Sequence, residues 1–80
     1  MKRVEAMNEH SLGMTLNRMY SDAPDGYKVA SIHFFGVKYA SFIQENHLSV
    51  REIIKASGLN ASYATEISKG IKLSKYVVPK

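Results

Sequence analysis

The sequence contains no cysteine among its 80 residues. This absence excludes disulfide bonds, zinc sites with thiolate ligands and cysteine nucleophiles, and it is typical of a reducing compartment. Long apolar runs are absent as well, and a membrane-spanning helix would need about 20 apolar residues in a row. Residues 1–10 are charged, so the sequence predicts neither a signal peptide nor a membrane partner. We expect a cytoplasmic protein.

The sequence also lacks the residue sets that catalysis requires. It has no nucleophile with an adjacent base, no paired carboxylates and no glycine-rich phosphate loop. The three histidines, His10, His33 and His47, are too far apart for a compact metal site. We therefore expect no enzymatic activity, no metal or other cofactor and no small-molecule substrate.

The length and composition favour one folding unit. A chain of 80 residues with 45% apolar side chains suffices for a single domain over residues 1–80. So short a chain buries only about 60 to 65% of its unfolded surface, and a homodimer would add stability. Three tyrosines are candidates for partly exposed side chains at such a dimer contact: Tyr20, Tyr27 and Tyr76.

Positive charge is confined to the second half of the chain. Residues 1–31 carry four cationic and four anionic side chains, whereas residues 32–80 carry seven cations and three carboxylates. The whole formal net charge of +4 therefore lies in residues 32–80. A field of one sign over one region favours a polyanionic partner, although such a face also serves solubility alone.

Helical periodicity governs the first half. Ser11 is a favourable N-cap, and the apolar residues that follow it recur at helical spacing, which predicts a helix over 11–21. Pro24 and Asp25-Gly26 predict a turn over 22–26. Residues 27–33 fit a short strand as well as the start of a helix. A broad apolar face then predicts a helix over 34–46: Phe34, Val37, Tyr39, Ala40, Phe42 and Ile43.

Several details refine that second helix. Gly36 in its interior costs about 1 kcal/mol relative to alanine, so we expect it to permit the close approach of another backbone. Four aromatic residues occur there: Phe34, Phe35, Tyr39 and Phe42. Aromatic side chains at helical spacing in so small a domain indicate a core rather than a surface for stacking RNA bases.

The segment 48–70 has the pattern of a helix-turn-helix. Ser49 and Glu52 form a capping-box pair, Gly58 suits a left-handed turn position, and Asn60 suits the cap of the second helix. The two helices are expected to share a buried seam: Ile53, Ile54, Leu59, Ala64 and Ile67. Residues 71–80 form a basic tail that fits an edge strand or an extended arm. The fold class is thus mostly α, a helix-turn-helix bundle of four to five short helices.

The run from Leu48 to Gly70 resembles the phage-repressor and Cro type of helix-turn-helix. The shared features are Leu-Ser at 48–49, Glu52-Ile53, Ser57-Gly58-Leu59, Ser62-Tyr63 and the closing Lys69-Gly70. The preceding residues from Phe35 to Asn46 resemble the first helix of that family, so the resemblance covers residues 35–70. The segment 62–77 also resembles a helix-turn-helix-like domain associated with bacterial and phage DNA-modification or defence proteins.

Two features depart from the repressor pattern. Ile54 stands where that family usually has alanine, and Ala64 stands where it usually has isoleucine or valine. The large and the small residue are thus exchanged between two positions that tend to pack together. We expect this exchange to preserve the fold and to shift the angle between the two helices. The chain also has only ten residues after Gly70, where the family adds one or two helices. We expect the N-terminal helix to cover the core in their place.

The docking mode implied by the resemblance assigns the DNA contacts. The residues facing the bases are Asn60, Ala61, Ser62, Thr65, Glu66 and Lys69. The residues contacting phosphates are Arg51, Lys55, Tyr63, Lys72 and Lys75. Glu66 suits the amino group of cytosine but repels phosphates, and Ala61 adds no hydrogen bond.

The function that the sequence favours is sequence-specific binding of double-stranded DNA by a small bacterial or phage transcriptional regulator. The alternative is a protein-interaction module, or a non-catalytic accessory subunit of a DNA-modification or defence system, because the same tri-helical frame also serves as a protein-binding scaffold.

Overall fold

Four helices run through residues 8–77, the part of the chain that the computed structural model describes. They are α1 (Glu9–Asp22), α2 (Lys28–Glu45), α3 (Val50–Ser57) and α4 (Tyr63–Leu73). Within residues 8–77 there is no strand. This architecture confirms the expected small helical bundle.

Helix α1 begins two residues earlier than the sequence predicts. Its N-cap is Asn8, whose Oδ1 accepts a hydrogen bond from the backbone N–H of Ser11 at 2.9 Å. In return, the Ser11 Oγ accepts from the backbone N–H of Asn8 at 2.8 Å. The prediction of Ser11 as the N-cap is therefore wrong, because Ser11 is the third helical residue and the second half of a capping box.

The turn between α1 and α2 is held by a lysine. The Lys28 ammonium donates to the carbonyl oxygens of Tyr20 at 3.0 Å and Ala23 at 2.8 Å, at the end of α1 where carbonyls lack helical partners. Gly26 has φ +89°, as the predicted turn requires. Helix α2 starts at Lys28 with Tyr27 as its N-cap, so residues 28–33 are helical and the predicted start at residue 34 is wrong.

The core lies between all four helices. Phe35 is fully buried, whereas Phe34 is 41% exposed and its expected place on the core face is wrong. Tyr39 and Phe42 are partly buried against the core. The buried core cluster consists of Leu12, Leu16, Ile32, Phe35, Ile43, Ile53, Ile54 and Ile67. Leu12 and Leu16 confirm that the N-terminal helix covers the core.

Glycines set the closest helix contacts. A Cβ on Gly36 of α2 would lie 2.5 Å from the carbonyl oxygen of Ile67 and 2.9 Å from the Cα of Gly70 on α4. The close backbone approach expected at Gly36 is therefore confirmed. Gly13 plays the same part between α1 and α3, since a Cβ there would lie 2.6 Å from the Ala56 Cβ.

The predicted C-terminal tail is helical at its start. Helix α4 continues to Leu73, and a turn follows in which the N–H of Tyr76 donates to the carbonyl of Leu73 at 2.8 Å. The expected strand or extended arm over 71–80 is therefore wrong for residues 71–77, and residues 78–80 lie outside the described part. Among residues 8–77, no helix has the length and apolar character needed to cross a membrane.

Candidate nucleic-acid interface

The turn between α3 and α4 is fixed by a buried serine. The Ser57 side chain is 4% exposed, and its Oγ donates to the carbonyl of Ile54 at 2.6 Å and accepts from the N–H of Leu59 at 3.1 Å. Gly58 follows with φ +77°, which confirms the left-handed position predicted for it. The Asn17 amide of α1 donates to the Ser57 carbonyl at 3.0 Å and thereby ties the turn to α1.

The start of α3 is capped by two different parts of the chain. The Ser49 Oγ accepts from the backbone N–H of Glu52 at 3.2 Å, as predicted. The backbone N–H of Ser49, however, donates at 3.0 Å to the carboxylate of Glu9 on α1. Glu9 thus takes the place that the capping-box pattern assigns to Glu52, and α1 contacts α3 at both of its ends.

The approach to α4 is a tight turn. The Asn60 Oδ1 accepts from the N–H of Ser62 at 2.9 Å, and the N–H groups of Tyr63 and Ala64 donate to the carbonyls of Asn60 and Ala61. Asn60 therefore stabilises the turn that leads into α4, and its prediction as the cap of that helix is wrong, because α4 begins at Tyr63 and has Ser62 as its N-cap. Asn60, Ala61 and Ser62 are all exposed at this tip.

The outward face of α4 carries four of the predicted contacts. Thr65, Lys69 and Lys72 are exposed and recur at helical spacing, and Ser62 precedes them by about one turn. The opposite side of the helix contains the buried Ile67 and Gly70. Three of the predicted base-facing residues, Ser62, Thr65 and Lys69, thus lie along one exposed face, whereas Asn60 and Ala61 are exposed in the preceding turn and Glu66 is partly buried. Lys72 belongs to that face although the docking mode assigns it to a phosphate.

Glu66 is directed towards α2. Its Oε1 lies 2.6 Å from the Nε2 of His33, and its Oε2 lies 3.6 Å from the Nζ of Lys69. The hydrogen bond with His33, with a smaller contribution from Lys69, lowers the pKa of Glu66. The carboxylate remains ionised at neutral pH, is hydrogen-bonded to His33 and forms an ion pair with Lys69, so its charge is partly compensated beside the outward face of α4.

Tyr63, a predicted phosphate contact, also has a partner within the domain. Its hydroxyl lies 3.2 Å from the hydroxyl of Tyr20 on α1, with ring centroids 5.5 Å apart. The hydrogen bond between the two hydroxyls raises the pKa of Tyr63. Tyr63 therefore stays neutral at physiological pH, and it links α4 to α1 at the N-terminal end of α4.

The remaining predicted phosphate contacts are exposed on elements that precede or follow α4 in the chain. Arg51 and Lys55 are exposed on α3, and Lys75 is exposed in the turn after α4. Between residues 50 and 77 the chain has five cationic side chains and two carboxylates, one of which is Glu66. The helix-turn-helix is accordingly the basic end of the molecule.

Sequence reasoning missed two residues of this surface. Ser68 is exposed in the middle of α4, three residues after Thr65, and helical periodicity alone places it at the edge of the outward face. His33 contacts Glu66 across 33 positions of sequence, and no local pattern signals such a pair. Within residues 8–77, no group of three or more histidine or acidic side chains is arranged to hold a metal ion.

Comparison with known families agrees with this geometry. A family model described as an HTH-like domain matches residues 8–80, which supports a helix-turn-helix domain and points to DNA as its partner in general. The chain has no significant match among curated proteins or among solved structures.

Proposed function

The chain belongs to the HTH-like domain family, and on this premise we propose that it binds double-stranded DNA sequence-specifically, with α4 in the major groove as in the phage-repressor and Cro type. The observation that carries the proposal is the outward face of α4, where Thr65, Lys69 and Lys72 project from a helix that is otherwise fixed to the core. Short polar and cationic side chains on an exposed helix are the groups that read base edges.

The roles of the base-facing residues follow from their chemistry. Asn60 pairs with adenine, Lys69 with guanine, and the hydroxyls of Ser62 and Thr65 with either. Ala61 offers its methyl group to the methyl group of thymine. Glu66, directed towards His33, contributes to reading by holding the Lys69 ammonium rather than by accepting from cytosine.

The surrounding cations set affinity and register. Arg51, Lys55, Lys72 and Lys75 contact phosphates, which carry no sequence information but position the helix along the groove. Tyr63 contributes from the N-terminal end of α4, with its hydroxyl shared with Tyr20.

We place this activity in a small, non-catalytic transcriptional regulator of a bacterium or phage, which acts in the cytoplasm without a cofactor. A homodimer would present two copies of α4 to successive major grooves about 34 Å apart and would therefore favour a pseudo-palindromic site.

A second candidate function is a protein-interaction module, or a non-catalytic accessory subunit of a DNA-modification or defence system. It is favoured by an apolar groove between α1 and α2 and by Tyr27 beside it, which is 63% exposed. In this alternative the basic face serves solubility only.

Fluorescence anisotropy with a labelled mixed-sequence duplex separates the two candidates. The four cationic phosphate contacts predict that the logarithm of the binding constant falls with the logarithm of the salt concentration with a slope of about −3.6. Absence of binding at about 50 mM salt would exclude the DNA-binding function.

A charge reversal tests the placement of α4. Lys69→Glu should weaken binding at least about tenfold, because an anion replaces a cation at the groove. The matched control is Lys38→Glu, which reverses an exposed charge on α2 and should change affinity far less. Equal losses for the two variants would show that net charge, and not the face of α4, drives binding.

A further inference from the structure

An open apolar groove lies on the two N-terminal helices, outside the basic helix-turn-helix. Its volume is about 640 Å³, and it lies between the end of α1 and the start of α2. Its lining includes Arg18 and Asp22 on α1, Tyr27 in the connecting turn, and Ala30 and Phe34 on α2. Tyr27 and Phe34 are 63% and 41% exposed, which is unusual for large aromatic side chains that have no partner to cover them.

We propose that this groove is the surface through which two copies of the chain associate. The inference rests on the homodimer suggested under the proposed function and specifies its interface. In a two-fold dimer the same patch occurs on both sides, so an interface must be complementary to itself.

Two charged side chains at the groove, one cationic and one anionic, make this surface complementary to itself. Arg18 and Asp22 both border the groove, four positions apart on α1. A two-fold axis across the groove brings Arg18 of one copy to Asp22 of the other, and the reverse pair forms at the same time.

The nearly neutral charge of residues 8–31 also favours a second copy of the chain over a nucleic acid as the partner of the groove. Residues 8–31 carry two cations and three carboxylates, and one of these cations, Lys28, donates to carbonyls at the end of α1. Two copies with a net charge of +4 each would repel one another if their basic ends met. Association through the nearly neutral groove between α1 and α2 does not require the two basic surfaces to meet.

The groove leaves α4 accessible. Helix α4 packs against the side of α2 that contains Gly36. Phe34 precedes Gly36 by two residues, a rotation of about 200° around the helix axis, so it lies on nearly the opposite side. A dimer formed through Phe34 and Tyr27 therefore does not cover the outward face of α4.

Tyr27→Asp is the variant that breaks the dimer without weakening the fold. Tyr27 is the N-cap of α2 and makes no side-chain cap hydrogen bond there. Aspartate is a preferred N-cap, so the substitution should maintain or raise the melting temperature of the isolated subunit. In the dimer it removes an aromatic anchor and buries a charge twice, which should raise the dimer dissociation constant at least about thirtyfold.

Sedimentation equilibrium from about 5 to 300 µM protein measures this change, a range suited to an interface at the small end of the known sizes. Tyr76→Asp is the matched control, since Tyr76 is 84% exposed outside the groove, and it should leave the dissociation constant unchanged. A wild-type chain that remains monomeric at about 300 µM, or a Tyr27→Asp chain that dimerises as well as the control, overturns the proposal.

A charge exchange tests the two-fold arrangement independently. Arg18→Asp alone places two carboxylates against each other and should weaken the dimer about tenfold, whereas Arg18→Asp with Asp22→Arg should recover most of the loss. Failure of the double variant to recover overturns the pairing of Arg18 with Asp22.

DNA binding by the same variants separates this proposal from the DNA-binding function. Tyr27→Asp should bind a mixed-sequence duplex of about 12 base pairs like the wild type and should lose affinity for one of about 24 base pairs, which spans two turns. A chain that dimerises through the groove but binds neither duplex retains this interface and refutes the DNA-binding function. A chain that binds both but sediments as a monomer retains that function and refutes the interface.

Discussion

Each helix of the helix-turn-helix crosses one of the two N-terminal helices, and the two crossings are built differently. Helix α3 lies against α1, where Gly13 faces the Ala56 side chain and the hydrogen bonds of Glu9 and Asn17 hold both ends of α3. Helix α4 lies against α2, where Gly36 and Gly70 bring the two backbones together near the middle of α2. One crossing is secured at its ends, and the other is secured near its centre, by the two glycines, the buried Ile67 and the hydrogen bond between His33 and Glu66.

The difference explains why α4 has an entire face free. Hydrogen bonds at both ends of α3 use side chains that surround it, whereas α4 is held by residues on its inner side alone: Tyr63, Glu66, Ile67 and Gly70. The position of α4 is then determined by α2, by the contact of Tyr63 with Tyr20 on α1 and by the turn at Ser57, and its outward residues take no part in holding it. The point substitutions below test whether the residues that hold the helices are separate from the outward residues of α4, and they are given in order of decreasing effect.

Gly70→Ala should have the largest effect on stability. A Cβ at this position would overlap the carbonyl oxygen of His33 and lie 3.0 Å from the Cα of Gly36, and both are backbone atoms that cannot rotate away. We expect a loss of about 4 kcal/mol in the free energy of unfolding, above the usual range for overpacking for that reason.

The control for Gly70→Ala is Gly58→Ala, which has open space around it but a φ of +77°. It should cost only about 1 to 2 kcal/mol, the strain of a left-handed alanine. Urea denaturation of both variants gives the comparison. Equal losses would show that α2 and α4 can separate slightly without penalty, and that the glycine contact does not fix α4.

Ile54→Ala should have the next largest effect, because it tests whether α3 and α4 are also held to each other. Ile54 is 2% exposed in the core, so its truncation should cost about 3 kcal/mol through lost burial and a cavity. Ala64 on α4 is partly buried. If the two positions face each other, adding Ala64→Ile should recover much of the loss in a double-mutant cycle. A double variant no more stable than Ile54→Ala would show that they do not.

Asn17→Ala should have a smaller effect on stability, because it removes one contact between α1 and the turn that joins α3 to α4. It removes the hydrogen bond to the Ser57 carbonyl and should cost about 1 kcal/mol. Thermal unfolding measures the change, and amide hydrogen exchange at Leu59 should accelerate, because its N–H is held by the same serine. Unchanged exchange there would mean that the turn holds its shape without α1.

The pair between Glu66 and His33 should give the smallest effect, visible as a dependence on pH. Because the folded state lowers the pKa of Glu66, its contribution to stability is present above the unfolded value of about 4.3 and is lost as pH falls through the lower folded value. The difference in melting temperature between the wild type and Glu66→Gln should therefore shrink between pH 6 and pH 3. A difference that stays constant over this range would show that the charge of Glu66 contributes nothing.

Local signals in the sequence identified the frame of the functional site. Ser49, Gly36 and Gly58 were predictable because a cap, a helix-interior glycine and a left-handed turn position each depend on neighbouring residues alone. The exposed positions Ser62, Thr65 and Lys69 followed from the docking mode that the resemblance to the phage-repressor and Cro type implies. These features account for the correct fold class and for most of the outward surface.

Features that join distant residues were not predictable from spacing. The contacts of Glu9 with Ser49 and of His33 with Glu66 link positions 40 and 33 residues apart, and periodicity does not say which helices cross. The error at Phe34 has the same cause. The apolar periodicity groups Phe34 with core residues, but among residues 8–77 no helix covers that side of α2.

The backbone contact at Gly70 has a consequence for changing what the domain recognises. Since α4 is anchored through Ile67 and Gly70, the residues at 62, 65, 68, 69 and 72 can be varied together without repacking the interior. Selection from a library randomised at these five positions should therefore yield folded proteins with new preferences at high frequency. The domain separates the residues that maintain its architecture from those that would define a target, which makes it a scaffold for reprogramming.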